Sequence, residues 1–203
     1  MYDIDVIDGA TCFPDEAMGG YKSRIAIIRK CDVTAIPQRK ENAQLLAMGD
    51  RSLMVGTFAF KVTERPIFVD AIEGTIKYTA GIQGNLGSKN FLPAAEFSVK
   101  DKEEADELAS ALLNVPCYVV IEEYDGRQLM IGNSALKATI DPSFDSGAAP
   151  TDERKYTFNV NVLASFRAKQ YLETPINMEI DTPYVPYPNS SGSGNLSGSG
   201  SGI

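Results

Sequence analysis

The sequence contains no histidine and no tryptophan. Histidine is the commonest general base near neutral pH and the commonest metal ligand, so its absence excludes a nucleophile–histidine triad and the usual zinc or non-haem iron sites. The three cysteines, Cys12, Cys31 and Cys117, lack the Cys-x-x-Cys spacing of a zinc or redox motif. We expect them to be reduced thiols in a cytoplasm, as is usual for cytosolic proteins.

Long apolar runs are also missing. Crossing a bilayer as a helix takes about 20 consecutive apolar residues, whereas runs such as "IAII" at residues 25–28 are the length of a strand. The first ten residues, "MYDIDVIDGA", carry three aspartates where a secretory signal would have a basic region. We therefore expect no membrane span and no export by a signal peptide.

Basic residues are fewer than acidic ones. The 19 lysines and arginines face 27 aspartates and glutamates, giving a formal net charge of -8. Affinity for nucleic acid comes largely from basic side chains that neutralise phosphates. Sequence-specific nucleic-acid binding is therefore not expected, while passage of DNA past the protein without retention is compatible with this charge.

The apolar content of 43% over 203 residues is enough to bury one core. We predict a single β-rich domain with long N-terminal loops over residues 1–182. Residues 183–203 pass from proline and tyrosine into glycine and serine, a composition typical of an extended arm. Aromatic residues often anchor interfaces, so we expect an arm that contacts another subunit, with folding back onto its own domain as the alternative. The residues of this arm are Pro183, Tyr184, Pro186, Tyr187 and Pro188.

Alternating apolar residues predict strands. "RSLMVGTFAFKV" at residues 51–62 has apolar side chains on both faces, and "KYTFNVNVLASF" at 155–166 has one apolar and one largely hydrophilic face. Glycines punctuate the β-rich region between them. The pattern predicts a mainly β fold with one α-helix.

That helix is predicted at about residues 102–113. Asp101 and Glu104 have the spacing of a capping box, and Asn114 followed by Pro116 ends the pattern. A short helix is marginal alone, so it should pack on the sheet. The apolar stripe that would do so is Ala105, Leu108, Ala109, Leu112 and Leu113.

A β-hairpin follows the helix. "CYVVIEE" and "RQLMIG" flank Asp125 and Gly126, residues suited to the positive φ angles of a type I′ turn. Next, "DPSFDSGAAPTDER" at residues 141–154 reads as a long polar loop.

No group has the arrangement of an active site. The pairs Glu103/Glu104 and Glu122/Glu123 are more typical of a helix start and a solvated hairpin end than of acid–base catalysis. "GIQGNLG" at residues 81–87 lacks the lysine and serine or threonine of a phosphate-binding P-loop. Cys117 has no histidine to activate it. We predict no catalytic, cofactor-binding or metal-binding residues.

The chain resembles the tail-tube and related ring-forming proteins of tailed bacteriophages over about residues 51–167. The residues that carry this resemblance are "FAFKV", "GNLGSKNFLPAAEFSV", "DKEEADELASALLN", "CYVVIEEYDGRQLMIGNSALKATID" and "ERKYTFNVNVL". The match is one of pattern more than of strict motif.

The resemblance implies an antiparallel β-sandwich or barrel with one flanking α-helix. It also implies a structural virion protein that is not an enzyme. Its subunits would form homo-oligomeric, stacked rings whose inner strands line a channel, with loops and arms clasping adjacent subunits. The implied partners are other copies, other tail or neck proteins, and duplex DNA that passes during ejection without sequence-specific binding. The resemblance also implies assembly in the bacterial host cytoplasm and a final location in the virion.

Two alternatives stay open. The first fifty and last thirty residues fall outside the resemblance, which leaves a neck or head–tail connector ring as a second position in the particle. A monomeric β-sandwich that binds carbohydrate is the alternative of another class, although such modules commonly present exposed planar aromatics and this chain has no tryptophan.

Overall fold

The computed structural model describes residues 20–40, 52–149, 152–165 and 167–179. The strands are β1 Tyr21–Arg29, β2 Val33–Ala35, β3 Gln38–Arg39, β4 Leu53–Val55, β5 Ala59–Phe60, β6 Ile67–Asp70, β7 Lys77–Gln83, β8 Asn90–Lys100, β9 Cys117–Glu123, β10 Gln128–Ile131, β11 Thr139–Asp145, β12 Lys155–Asn161 and β13 Tyr171–Leu172. The helix of this part of the chain is α1, Glu103–Leu112, and a short 3₁₀ turn covers Lys30–Asp32. The predicted mainly β class with one helix is confirmed.

The strands form two main sheets. The large sheet has seven strands in the order β3-β4-β13-β10-β9-β1-β6, and the small sheet has four in the order β11-β12-β8-β7. Strands β2 and β5 form a separate two-stranded ribbon. The pairing is antiparallel apart from β13 with β4, which run parallel.

The main core lies between the two sheets. Phe97 of β8 and Phe158 of β12 stack with ring centroids 5.1 Å apart and are fully buried. Ile25 and Ile27 of β1 join the same cluster from the large sheet, together with the buried face of α1. Full burial of such side chains contributes about 1.5–3 kcal/mol each, which makes this layer the main source of stability.

The large sheet is covered on its second face as well. Ala26 and Ile28 of β1 belong to a second apolar cluster with Tyr118, Met54 and other side chains, against which Phe58 and Phe60 pack from the ribbon region. All four residues of 25–28 are therefore 0% exposed. A strand buried on both faces reads as a continuous apolar run, which accounts for "IAII".

Helix α1 buries four of the five predicted side chains: Ala105, Leu108, Ala109 and Leu112. The helix ends at Leu112, and Leu113 lies beyond it, 54% exposed, so its assignment to the packed stripe is wrong. Leu113 and Asn114, whose φ is 60°, are the middle residues of a type II turn closed by Val115 N–H donating to Leu112 O at 3.1 Å. The turn carries Leu113 away from the helical stripe.

The predicted capping box does not form. The N-cap position is Lys102, without a side-chain cap hydrogen bond. The Asp101 carboxylate instead pairs with Arg154 at 2.9 Å. The Asp101 side chain is thus engaged by the residue that precedes β12 and not by the helix N-terminus.

The β9–β10 hairpin is present but its turn differs from the prediction. Gly126 has a φ of 87°, whereas Asp125 is not among the described residues with positive φ. Gly126 N–H donates to Glu123 O at 3.0 Å, and Glu123 N–H donates to Arg127 O at 2.9 Å. This is a three-residue loop made of a type I turn and a glycine bulge, which needs one positive φ instead of the two of type I′.

Two strand boundaries also differ. The strand predicted over residues 51–62 is split into β4 and β5, with Gly56 at a φ of 97° between them. The polar loop predicted over 141–154 is in part strand, because residues 141–145 complete β11 and pair with β12. The arm residues Pro183, Tyr184, Pro186, Tyr187 and Pro188 lie outside the described residues.

Candidate assembly surface

The outer face of the small sheet is a broad polar surface. Phe97, Phe158, Val160 and Ile140 point into the core, so the alternate residues of each strand point outward. In register across the sheet, these outward residues are Lys77, Thr79, Gly81 and Gln83 of β7, Asn90, Leu92, Ala94, Glu96, Ser98 and Lys100 of β8, Lys155, Thr157, Asn159 and Asn161 of β12, and Thr139, Asp141, Ser143 and Asp145 of β11.

Charge on this face is balanced. Three lysines and three acidic residues alternate among asparagine, threonine and serine, and none of the outward residues is an arginine. Lys77 lies directly opposite Glu96, and Asp145 opposite Lys155. Opposite charges in cross-strand pairs favour this sheet register and leave no large field of one sign on the face.

Strand β7 has one open edge. Phe91 exchanges two backbone hydrogen bonds with Ser165, at 2.8 and 2.7 Å, so it directs its N–H and C=O towards the β12 side of β8. Because these groups alternate sides along a strand, the even-numbered residues of β8 bond to Lys77, Thr79, Gly81 and Gln83. The backbone groups of Tyr78, Ala80 and Ile82 therefore point away from the sheet, where no other described strand pairs with them.

Strand β11 forms the opposite edge. Ala138 exchanges two hydrogen bonds of 2.9 Å with Cys117 of β9. By the same alternation, the N–H and C=O groups of Ile140, Pro142 and Phe144 face away from β12. Ile140 is 1% exposed, so the accessible part of this edge is residues 142–145, and Pro142 lacks an N–H to offer there.

Apolar side chains are exposed beside both open edges. Phe144 is 47% exposed and Ile82 is 65% exposed, and both lie on the core-side face of the small sheet. The rings of Phe144 and Tyr156 pack with centroids 4.9 Å apart. The Arg154 guanidinium lies over the Phe144 ring, 5.7 Å from its centroid. Each edge thus combines unpaired backbone groups with apolar surface.

The buried carboxylate of Glu123 has several hydrogen-bond partners. Glu123 is 7% exposed, accepts a hydrogen bond from Lys169 at 2.9 Å and from Tyr171 at 3.2 Å, and pairs with Arg127 at 3.2 Å. Hydrogen bonds to Tyr171 and Glu123 raise the pKa of Lys169 above its ordinary value. The network ties β9 to the β13 region, and its groups are already committed to one another.

The described thiols are poor nucleophiles. Burial raises the pKa of Cys117 to about 12, and its Sγ donates to Val115 O at 3.2 Å. Cys31 is exposed, but desolvation and a hydrogen bond to Asp32 raise its pKa as well. The thiolate is the reactive form, so neither side chain is activated at neutral pH.

Within the described ranges, no group of three or more histidine, cysteine, aspartate or glutamate side chains could hold a metal ion. No helix in that part of the chain is both long and apolar enough to span a membrane.

The sequence indicated the polar face of β12 but missed the edges. The alternation in "KYTFNVN" marks the inward and outward sides of one strand. It carries no information about which strands end the sheet, and the aspartates, serine and proline of residues 141–145 favour a loop although these residues lie in β11.

A search of protein-family models found no matching family, and searches of curated proteins and of solved structures found no match.

Proposed function

We propose that this chain is a structural virion protein of a tailed bacteriophage that forms homo-oligomeric rings, in which small sheets join edge to edge to line the DNA-conducting channel of the tail tube. The observation that carries the proposal is the pair of open edges, β7 and β11, each bordered by an exposed apolar side chain. The work of such a protein is geometric and needs no catalytic group.

The strand directions suit a cyclic ring. The four strands alternate in direction across the small sheet, so β7 and β11 run antiparallel to each other. Copies related by rotation about a ring axis would bring β7 of one copy beside β11 of the next, running in opposite directions. The result is a continuous antiparallel sheet that leaves no edge after closure.

The side chains suit the same pairing. The residues whose backbone groups point outward from the two edges, such as Ala80 and Phe144, have their side chains on the core side of the sheet. Residues directly opposite each other in an antiparallel pair share a face. Joining β7 to β11 therefore buries Phe144 and Ile82 and keeps the polar face continuous.

The size of a closed sheet sets a lower limit on the ring. Closed barrels of about 16 strands are those that leave a water-filled channel. Each copy supplies four strands, so a channel for duplex DNA needs more than about four copies. The balanced, arginine-free outer face would then form the wall, where few phosphate contacts could hold the DNA.

A connector ring at the neck is the alternative position, because it would use the same edges and the same face. The tail tube differs from it in stacking many identical rings. Purified protein that forms long tubes would favour the tail tube, whereas single rings would favour the neck.

The edge pairing can be tested with Phe144→Asp, which places a charge in the proposed subunit contact. We expect rings or tubes of the unchanged protein in negative stain, and mainly monomers of the variant in sedimentation velocity. Val62 is 92% exposed and lies outside the small sheet, so Val62→Asp is the matched control and should assemble normally.

The variant must keep its fold for this comparison to hold, which a far-ultraviolet spectrum and a thermal melt will show. Unchanged assembly of Phe144→Asp would refute edge pairing through β11. A wild-type protein that remains monomeric at high concentration and melts at a higher temperature with an added sugar would instead favour a carbohydrate-binding module.

A further inference from the structure

The two edges of the small sheet, β7 and β11, can meet in only a few registers. Both strands have seven residues, and the backbone groups that point outward belong to even-numbered residues in each. In an antiparallel ladder such residues pair with one another. The strands of neighbouring copies can therefore slide past each other only in steps of two residues, since a single step would also exchange the two faces.

The polar face favours one of these registers. It places Lys77 of one copy opposite Asp145 of the next, and it places Thr79 opposite Ser143. All four side chains are exposed on the same face. Opposite charges and paired hydroxyls are cross-strand combinations that stabilise a sheet.

The charged residues of the two copies then form one row. Within a chain, Lys155 lies opposite Asp145 and Lys77 lies opposite Glu96. Joining the edges in this register gives a row of alternating sign that crosses the interface, in the order Lys155, Asp145, Lys77 and Glu96. Sliding the strands by two residues in either sense removes the charged pair at the interface.

The core side of the sheet agrees with the same register. Tyr78 is partly buried, Phe144 is 47% exposed, and the two aromatic side chains lie directly opposite each other. Pro142 falls opposite Ala80 at the end of the accessible part of β11. Its missing N–H therefore leaves only the last carbonyl of the ladder, that of Ala80, without a backbone donor.

This register determines how far the strands are sheared around a ring. The row that starts at Lys77 passes through Glu96, Asn159 and Asp141 of the same chain. In the selected register Asp141 lies opposite Gly81 of the next copy, which is four positions beyond Lys77 on β7. Each copy of four strands thus adds a shear of four residues.

A shear equal to the number of strands allows closure. With about 3.3 Å of rise per residue and about 4.8 Å between strands, the strands tilt by about 35° from the ring axis. An eight-stranded barrel with a shear of eight has nearly this tilt, about 36°, and closed barrels usually have about 35–45°. Sliding the strands by two residues towards zero shear gives only about 19°, outside that range.

The direction of the shear also fits a closed ring. Lys77 and Thr79 direct their side chains to the polar face and their backbone groups to β8. For L-residues this arrangement puts β8 to the right of an upward-running β7 when the polar face is viewed. With that face inside the ring, each row rises from β7 through β11 into the next copy. Right-handed winding of the strands about the axis requires this rise.

We propose that neighbouring copies join in this single register, with Lys77 opposite Asp145 and Thr79 opposite Ser143, which adds four residues of shear per copy. The inference rests on the proposed ring function and specifies the subunit contact within it. The partner is a second copy of the chain, and its recognition depends on the charged row and the aromatic pair.

Disulfide cross-linking measures the register. Thr79→Cys/Ser143→Cys is prepared with Cys12 and Cys31 changed to serine, and the assembled protein is oxidised with copper phenanthroline. Directly opposed residues of this kind have Cα atoms about 4.5 Å apart, within the reach of a disulfide. Within one chain the two positions are three strand spacings apart, about 14 Å, so a link forms only between copies. We expect a ladder of covalent multimers on a non-reducing denaturing gel.

Two matched variants measure the neighbouring registers. Thr79→Cys/Asp141→Cys becomes directly opposed when the strands slide by two residues in one sense, and Gly81→Cys/Ser143→Cys when they slide in the other. A Cβ added at Gly81 meets nothing within 4 Å. In the proposed register each control pair is diagonal, with Cα atoms about 7–8 Å apart, so we expect at least about tenfold less multimer.

Negative stain of the reduced proteins shows whether each variant assembles like wild type. If the first pair does not, Lys77→Cys/Asp145→Cys measures the same register one pair along. Multimers from a control in place of the proposed pair overturn the register, while edge pairing stands. Rings without a link in any variant overturn both the register and the pairing of β7 with β11. Wild-type protein that forms no rings overturns the proposed function, and this inference with it.

Discussion

At the scale of single residues, the environment of Cys117 decides its chemistry. The side chain is fully buried, and burial raises the pKa of its thiol to about 12. At pH 8 the thiol of the folded protein therefore stays protonated, since deprotonation would place a charge in the core.

We predict that iodoacetamide at pH 8 leaves Cys117 unmodified in the folded protein and alkylates it once urea unfolds the chain. Peptide mass spectrometry measures both states, and the urea sample is the control for intrinsic reactivity. Rapid modification of Cys117 in the native protein would contradict its burial.

Turn residues show how far single positions can be predicted. Gly126 and Asn114 both adopt the positive φ angles that their residue types favour. The turn types themselves depend on how the flanking strands meet, and so the hairpin uses a glycine bulge where the dipeptide suggested type I′. Residue type indicates where the chain bends, while the neighbouring strands select the geometry.

At the scale of the elements, the end of α1 places two adjacent leucines in different environments. Leu112 is 0% exposed in the main core, and Leu113 is 54% exposed in the turn that follows. Helical periodicity alone assigns both to one stripe. The helix ends one residue too early for that, because Asn114 takes the positive φ that closes the turn.

We predict that Leu112→Ala lowers the free energy of unfolding by about 2–5 kcal/mol, because it removes core contacts and leaves a cavity. Leu113→Ala should change it by less than about 0.5 kcal/mol, as is usual for surface substitutions. Urea denaturation of the two variants and wild type gives both values. Similar losses in the two variants would mean that Leu113 is also packed.

Strand β11 shows the limit of local pattern. Its sequence, "TIDPSFD", has turn-forming residues but pairs over its full length with β12. Proline is tolerated because β11 is an edge strand and the nitrogen of Pro142 faces away from β12. The tertiary pairing overrides a composition that favours a loop.

At the scale of the whole molecule, the charge distribution matters more than the net charge. The formal charge of -8 describes the chain, but the outer face of the small sheet carries equal numbers of lysines and acidic residues. Weak retention of DNA at this face would therefore come from its lack of concentrated positive charge.

We predict that Asn159→Arg makes assembled rings hold duplex DNA, because each copy would add a cation to the proposed channel wall. Binding measured by fluorescence anisotropy should weaken steeply as the salt concentration rises from about 50 to about 200 mM, because contacts to phosphates are salt-dependent. Glu107→Arg, on the exposed side of α1, is the control and should leave the rings without this binding. Equal binding by the two variants would argue against the small sheet as channel wall.

The sequence by itself determined the mainly β class, the position of helix α1, the hairpin, and the polar and apolar faces of β12. These features depend on local periodicity and on residue types that prefer particular backbone angles. The tertiary structure alone decided that β7, β11 and β6 are edges, that Leu113 is exposed, and that Phe144 and Ile82 border open backbone. Whether a strand is central or at an edge depends on which distant segments pair with it. The alternation of apolar and polar residues along one strand does not indicate which segments those are.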